Sequence, residues 1–93
     1  MRPVHPGEIL QDELDTLDLS ARALAKALGI PTNRVTAILN GTRSSTADTA
    51  LRLSRYFGSG PEIWMNLQIN YDLAMADKAN GKVIRKQIRP RAA

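Results

Sequence analysis

One predicted helix, between residues 32 and 40, carries the side chains best suited to contact a large polar ligand. Val35, Ile38 and Leu39 recur at three- and four-residue spacing and define its buried side. The opposite side is short-chained and polar, whereas a solvated helix more often displays long Lys and Glu side chains. The outward residues are Thr32, Asn33, Arg34, Thr36, Ala37 and Asn40. Such a face can approach another molecule closely.

These outward residue types match the base edges in the major groove of DNA. Asn pairs with adenine, the methyl groups of Ala and Thr contact the thymine methyl, and Arg34 can reach guanine or a phosphate. Thr32, in the first turn, lies deepest if the helix enters the groove with its N-terminus first. The sequence therefore predicts that Thr32, Asn33, Arg34, Thr36 and Ala37 contact DNA.

The segments beside this helix supply groups that bind phosphate. Arg43 offers a guanidinium, and Ser44 and Ser45 add hydroxyls next to the free amides that begin the following helix. Ser20 and Arg22 stand at the start of the preceding helix and can act in the same way. The alternative is a plain loop and helix caps, and for Ser20 capping and phosphate binding are compatible. We predict backbone contacts from Ser20, Arg22, Arg43, Ser44 and Ser45.

Four helices position these groups, and a fifth follows them. The first is predicted over residues 6–17. The second begins at Ser20 as N-cap and ends at Gly29, and the third ends at Gly41 after a short turn. The fourth runs from the cap Thr46 to Gly58, with an apolar set that the periodicity places inward. The second and third helices, with the short turn between them, form a helix-turn-helix. The inward apolar residues of the fourth helix are Ala50, Leu51, Leu53 and Phe57.

The fifth helix is predicted to open with a capping box, in which Ser59 caps and Glu62 reaches back to it. Its periodicity buries Ile63, Trp64, Leu67 and Tyr71. Asn80-Gly81 is a strong turn signal, and Val83 and Ile84 beyond it allow a short strand. The fold class is therefore all-α, with five helices and a short C-terminal extension. We divide the chain into a helix-turn-helix DNA-binding domain over residues 1–80, which includes the fifth helix, and a tail over residues 81–93.

Composition supports one compact domain of ordinary type. The chain has 93 residues, of which 43% are hydrophobic, and it has no cysteine for disulfides or thiolate metal sites. The net charge is +4, but residues 20–60 hold six basic side chains and one acidic, whereas residues 1–19 hold one basic and five acidic. No apolar run is long enough to cross a membrane and no secretory signal is evident. We expect a cytoplasmic protein.

The sequence shows no sign of catalysis, of a metal or of a cofactor. His5 is the only histidine, and it stands without the clustered ligands that a metal needs, so we do not expect it to bind a metal. Asp12, Glu13 and Asp15 diverge around their helix and cannot act as paired catalytic acids. They form an acidic face that can meet a basic partner.

Residues 20–58 resemble the lambda-repressor-like helix-turn-helix of the XRE regulators. The matching positions are Leu24-Ala25, Leu28-Gly29, Val35 and Ile38-Leu39-Asn40-Gly41. Flanking blocks make the chain similar, more narrowly, to the HigA antitoxins of bacterial toxin-antitoxin modules. These blocks are Val4-His5-Pro6-Gly7-Glu8-Ile9-Leu10, Thr46-Ala47-Asp48-Thr49-Ala50-Leu51-Arg52-Leu53, Trp64-Met65-Asn66-Leu67-Gln68 and Tyr71-Asp72-Leu73. Together they span residues 4–73. In the resembling family the His-Pro-Gly stretch leads into the first helix, so the resemblance implies a structural role for His5.

The resemblance implies a homodimeric repressor that binds a palindromic operator of its own operon. It also implies that the protein neutralises a HigB-type toxin, an endoribonuclease that cleaves messenger RNA at the ribosome. Dimerisation would use the helix of Trp64 and the segment from Val83 to Ile88. Two alternatives remain open: a stand-alone XRE-type regulator without a toxin, and a protein-interaction module that has lost DNA binding.

Overall fold

The computed structural model describes residues 2–91, which form five α-helices and no β-strand. In chain order the helices are α1 (Pro6–Leu17), α2 (Ala21–Leu28), α3 (Thr32–Leu39), α4 (Ala47–Phe57) and α5 (Pro61–Gln87). The predicted all-α, five-helix class is confirmed. Residues 92 and 93 of the predicted tail lie outside the described range.

Local chemistry sets most of the helix ends where the sequence predicts them. The Ser20 Oγ accepts the Ala23 N–H at 3.0 Å, and the Thr46 Oγ1 accepts the Thr49 N–H at 3.3 Å. Each bond satisfies an amide that the first turn of a helix leaves without a partner. Gly29 and Gly58 end α2 and α4 in the left-handed conformation, with φ of 71° and 77°, which glycine adopts without steric cost.

His5 caps α1 through a reciprocal pair of hydrogen bonds. Its Nδ1 accepts the Gly7 N–H at 2.9 Å, and the Glu8 carboxylate accepts the His5 N–H at 3.1 Å. The imidazole is buried and packs edge-on against the Tyr71 ring, with 4.9 Å between centroids. The predicted structural role of the histidine is therefore confirmed.

Glu8 gives this cap a dependence on pH. The Arg2 guanidinium lies 2.7 Å from its carboxylate and, together with the His5 N–H, lowers the pKa of Glu8 below the ordinary 4.5. Because the pKa of Glu8 is lower in the folded protein, the contribution of Glu8 to stability is complete at pH values above its ordinary pKa. That contribution is lost as pH falls through the pKa of Glu8 in the folded protein. We expect the difference in unfolding free energy between wild type and Glu8→Gln to shrink from neutral pH to about pH 3. Denaturant titrations would measure it, and a constant difference would contradict the assignment.

The core lies where the five helices meet. Leu10 and Leu14 of α1 and Trp64 of α5 are buried in one cluster with residues of the three central helices. The central helices contribute Leu24, Ala25, Leu28, Val35, Ile38, Ala50 and Leu53. α3 is oriented by α2 and α1, which both pack directly against it.

The helix α5 differs from the prediction at both ends. Gly60 is its N-cap and no side chain caps it, so the predicted capping box of Ser59 and Glu62 is wrong. The helix then continues through Asn80 and Gly81, where a turn was predicted, and through the predicted strand. The division at residue 80 remains a prediction, although α5 crosses that position unbroken.

The ion pair between Asp77 and Arg85 explains part of this continuity. Its atoms lie 2.7 Å apart and it spans the two helical turns on either side of Gly81. A glycine inside a helix costs only about 1 kcal/mol, so added contacts over neighbouring turns can outweigh a local turn preference. These contacts favour a helix that continues past Gly81 to Gln87.

Two apolar side chains that the periodicity placed inside are exposed. Leu51 of α4 is 60% exposed and Ile63 of α5 is 51% exposed. Both lie on faces that no other helix of residues 2–91 covers, while Ala50 and Trp64 beside them fill the core. Helical spacing identified apolar positions correctly but could not show which of them find a partner.

Candidate nucleic-acid interface

The turn between α2 and α3 is fixed by backbone and apolar contacts. The Ile30 N–H donates to the Ala25 carbonyl at 3.1 Å, and the Ile30 side chain is buried against the core. Pro31 then precedes α3 as its N-cap without any side-chain hydrogen bond. Its ring fixes the extended entry into the helix. The short turn holds α3 across α2, as a helix-turn-helix requires.

The predicted division of α3 into an inner and an outer face is confirmed. Val35 and Ile38 are buried, whereas Thr32 and Asn33 in the first turn are exposed. Nearer the neighbouring helices, Thr36 and Ala37 are half-buried. Within α3 the polar first turn is therefore the most exposed part.

The hydroxyl of Thr36 is already used within α3. Its Oγ1 donates to the Asn33 carbonyl, one turn earlier, at 3.2 Å. This bond leaves the hydroxyl able to accept but holds its proton toward the helix. Among the outer residues of α3, Thr32 and Asn33 are therefore the side chains freest to read a base.

Arg34 is directed toward the start of α4. Its Nη1 lies 3.9 Å from the Asp48 carboxylate, which also accepts a bond from the Arg52 Nε at 2.9 Å. Asp48 is thus shared between two guanidinium groups. Arg34 lies at the edge of the outer face, and contact with DNA would compete with this carboxylate.

The loop from residue 40 to 46 folds back onto the end of α3. The Thr42 hydroxyl donates to the Ala37 carbonyl at 3.1 Å, and the Arg43 N–H donates to the same carbonyl at 3.2 Å. The Arg43 and Ser44 side chains remain exposed. The backbone of Arg43 is thereby held next to the end of α3, and phosphate contacts from Arg43 and Ser44 remain a prediction.

Ser45 is placed differently from its neighbours. Its side chain is 2% exposed, and its backbone N–H donates to the Gln68 Oε1 at 2.7 Å. A buried hydroxyl cannot reach a phosphate on the surface, so the expected side-chain contact from Ser45 conflicts with the structure. The sequence could not predict the burial of Ser45, because Ser44, Ser45 and Thr46 are adjacent hydroxyl residues and nothing local shows which one turns inward.

Gln68 of α5 is the positioning residue that sequence reasoning missed. It is buried, accepts from Ser45 and donates to the Asp72 carboxylate at 3.0 Å. The only signal was its place one turn after Trp64, on the same buried stripe. Gln68 ties the loop from residue 40 to 46 to α5.

The start of α2 adds a second exposed basic position. Ser20 and Arg22 are exposed, and the Ser20 hydroxyl keeps its proton to donate while it caps the helix. Within residues 2–91 no carboxylate lies within 4.0 Å of the Arg22 or Arg43 guanidinium groups. These two exposed charges, at the start of α2 and after the end of α3, suit a polyanion.

Residues 2–91 contain no group of three metal-ligating side chains. Over the same range, none of the helices combines the length and the apolar character that crossing a bilayer demands.

Known proteins match both the sequence and the fold. The helix-turn-helix family profile matches residues 10–64. Virulence-associated protein I of Dichelobacter nodosus is 52% identical over 79 residues, which cover 84% of this chain and 73% of that protein.

Two solved structures are similar over nearly the whole chain. An addiction module antidote protein of a HigA family from Coxiella burnetii has a TM-score of 0.96 at 64% identity, covering 98% of this chain and 100% of that one. The Pseudomonas aeruginosa antitoxin HigA with higBA promoter has a TM-score of 0.95 at 49% identity, with the same coverage. The chain therefore belongs to the helix-turn-helix family, within its branch of HigA-type antitoxins, whose members are DNA-binding regulators rather than enzymes.

Proposed function

We propose that the protein is a dimeric antitoxin that represses its own operon by binding a palindromic operator. The observation that supports this most directly is the exposed, polar first turn of α3, with Thr32 and Asn33, beside the exposed guanidinium of Arg43. The Pseudomonas aeruginosa relative, solved with promoter DNA, supports the same use of this fold. A protein that binds operator DNA acts in the bacterial cytoplasm, so we propose that location for this protein.

The proposed interface divides base readout from backbone positioning. Thr32 and Asn33 enter the major groove, with Thr36 and Ala37 beside them and Arg34 at the edge. Phosphates are held by the hydroxyl and guanidinium groups that flank α3. The proposed backbone contacts are Ser20, Arg22, Arg43 and Ser44, and Ser45 is left out.

The exposed apolar residues of α5 support a homodimer. The helix has 27 residues, which makes it about 40 Å long, and its second half extends past the body of the protein. Val83 and Ile84 of that half are exposed, and so are Leu73 just before it and the C-cap Ile88 just after it. An apolar face of this kind is covered in a stable protein, and a second copy can cover it symmetrically. A two-fold dimer would present two α3 helices to half-sites about 34 Å apart.

We expect Asn33→Ala to relax the preference for particular bases. The loss of a bidentate hydrogen-bonded pair with adenine costs about 1 to 3 kcal/mol on the cognate site, and binding to random DNA should not change. Fluorescence anisotropy against the protein's own promoter and a scrambled duplex measures both. Equal loss on the two DNAs would overturn the assignment of Asn33.

Arg43→Ala should instead weaken binding to every sequence alike. The salt dependence should flatten by about one unit for each phosphate that a subunit no longer neutralises. Ser44→Ala should show a smaller effect of the same kind, whereas Ser45→Ala, at the buried neighbour, should leave DNA affinity unchanged. An affinity loss at Ser45 equal to that at Ser44 would contradict the proposed set of backbone-binding residues.

The second part of the proposal is a toxin partner of HigB type, which cleaves messenger RNA. It is supported by the likeness to the HigA-family antidote of Coxiella burnetii. Co-expression with the neighbouring open reading frame tests it. We expect growth arrest from that frame alone and rescue by this protein; growth without arrest would favour a stand-alone regulator.

A further inference from the structure

A groove between the end of α2 and the outer side of α4 takes no part in the proposed DNA interface. Its volume is about 510 Å³, and its walls combine apolar and basic side chains. Leu51 is 60% exposed and Tyr56 is 43% exposed, although both belong to a helix whose other face fills the core. The lining residues are Ala27, Leu28, Asp48, Leu51, Arg52, Arg55 and Tyr56.

One wall of the groove is rigid. The Arg52 Nη1 donates to the Leu28 carbonyl at 2.7 Å, and its Nε donates to the Asp48 carboxylate at 2.9 Å. Arg52 thereby joins the end of α2 to the start of α4 and keeps its charge neutralised. Since both partners are fixed, the groove does not depend on a ligand for its shape.

The rim of the groove carries positive charge. Arg55, on α4, and Lys26, one residue before the lining on α2, are exposed. Across residues 2–91, neither has a carboxylate within 4.0 Å. The groove therefore suits an apolar side chain surrounded by acidic groups.

The last turns of α1 have that composition. Leu17 is 53% exposed, and Glu13 and Asp18 beside it are exposed carboxylates without ion pairs among residues 2–91. Glu13 lies four residues before Leu17 and shares its face of the helix. This acidic knob, defined as Glu13, Leu17 and Asp18, is complementary to the groove in charge and in polarity.

We propose that the acidic knob of one copy docks into the α2–α4 groove of a second copy. The two surfaces are different, so a docked pair leaves the groove of one copy and the acidic knob of the other unused. The contact can therefore link successive dimers. Dimers on neighbouring operator sites are held at high local concentration, which favours a weak contact of this kind. The expected consequence, which rests on the proposed DNA binding, is cooperative occupation of adjacent sites.

Sedimentation velocity of the full chain tests the docking without DNA. Pairing through α5 stops at two chains because it uses the same face of each, whereas docking continues beyond two. We expect the average mass to rise past two chains with protein concentration at about 50 mM salt and to fall at about 200 mM, because exposed charges are then screened. A mass that stays at two chains under both conditions would overturn the proposal.

Charge reversals test the residues. Glu13→Arg should lower the association constant beyond the dimer about fivefold. Asp15→Arg makes the same charge change two residues from Leu17, about 200° around α1, and should have little effect. Combining Glu13→Arg with Arg55→Glu should restore association. Equal effects of Glu13→Arg and Asp15→Arg, or no recovery in the combined variant, would refute the docking.

A promoter titration separates this proposal from the DNA-binding one. On a duplex with a single operator, Glu13→Arg should bind like wild type, and on two adjacent operators it should lose cooperativity. If wild type bound neither duplex, the proposed repressor function would fall, and the sedimentation result would still decide the docking.

Discussion

Gly7→Ala is expected to destabilise the protein by about 3 kcal/mol, as overpacking at a tightly packed helix crossing does. A Cβ built on Gly7 would collide with the carbonyl group of Ile38, and backbone atoms cannot rotate away as a side chain can. Either α1 or the end of α3 must shift. Because α3 carries the proposed base-reading face, operator affinity should fall together with stability.

Chemical denaturation and promoter binding would measure the two effects. Gly60→Ala is the matched control, because the added Cβ meets only the carboxylate of Glu62, which is exposed and flexible. Its backbone φ of −73° also suits any residue. We expect it to lower the unfolding free energy by no more than about 1 kcal/mol, because alanine is a poorer N-cap than glycine. A Gly7→Ala protein as stable as Gly60→Ala would show that α1 does not pack closely on α3.

Gln68→Ala should cost about 2 to 4 kcal/mol, combining an orphaned buried amide with a cavity. The Ser45 N–H would lose its hydrogen-bond partner, and the loop carrying Arg43 would be released from α5. We therefore expect weaker binding to cognate and random DNA alike, since contacts with the phosphate backbone carry no sequence preference. Thermal unfolding and anisotropy titrations measure the two consequences.

Gln87→Ala provides the control on the same helix, at an exposed position near its end. It should leave stability and DNA affinity within error of wild type. Gln68→Glu separates hydrogen bonding from volume, because its carboxylate can still accept from Ser45 but is repelled by Asp72. An intermediate loss is expected. If Gln68→Ala lost stability but kept full DNA affinity, the loop would not need its anchor on α5.

Sequence patterns predicted the fold wherever the governing interactions are local. Ser20 and Thr46 cap the helices they precede, and Gly29 ends α2, because each motif acts within one turn of the chain. The inner face of α3 was likewise predictable, since Val35 and Ile38 repeat with the helical period. These same local rules identified Thr32 and Asn33 as outward residues.

Predictions from a single residue type were wrong where neighbouring residues favour a different structure. Gly81 favours a turn by its type, yet it lies inside α5, where Asp77 and Arg85 pair across it. Ser59 suits a helix cap, but the chain begins α5 one residue later, after Gly60. Glycine inside a helix costs about 1 kcal/mol, which the helical contacts on either side of Gly81 can outweigh. At Ser59 the competing preference is local as well, because Pro61 suits the first position of a helix and makes Gly60 the N-cap.

The sequence by itself determined the helical class, the helix-turn-helix and the outward face of α3, because periodicity and capping are properties of neighbouring residues. Only the tertiary structure decided that Ser45 turns inward to Gln68, that Arg34 lies toward Asp48 and that Leu51 stays exposed beside a groove. Those outcomes depend on which helix lies opposite each side chain. A partner 23 residues away, as Gln68 is from Ser45, leaves no periodic trace in the chain.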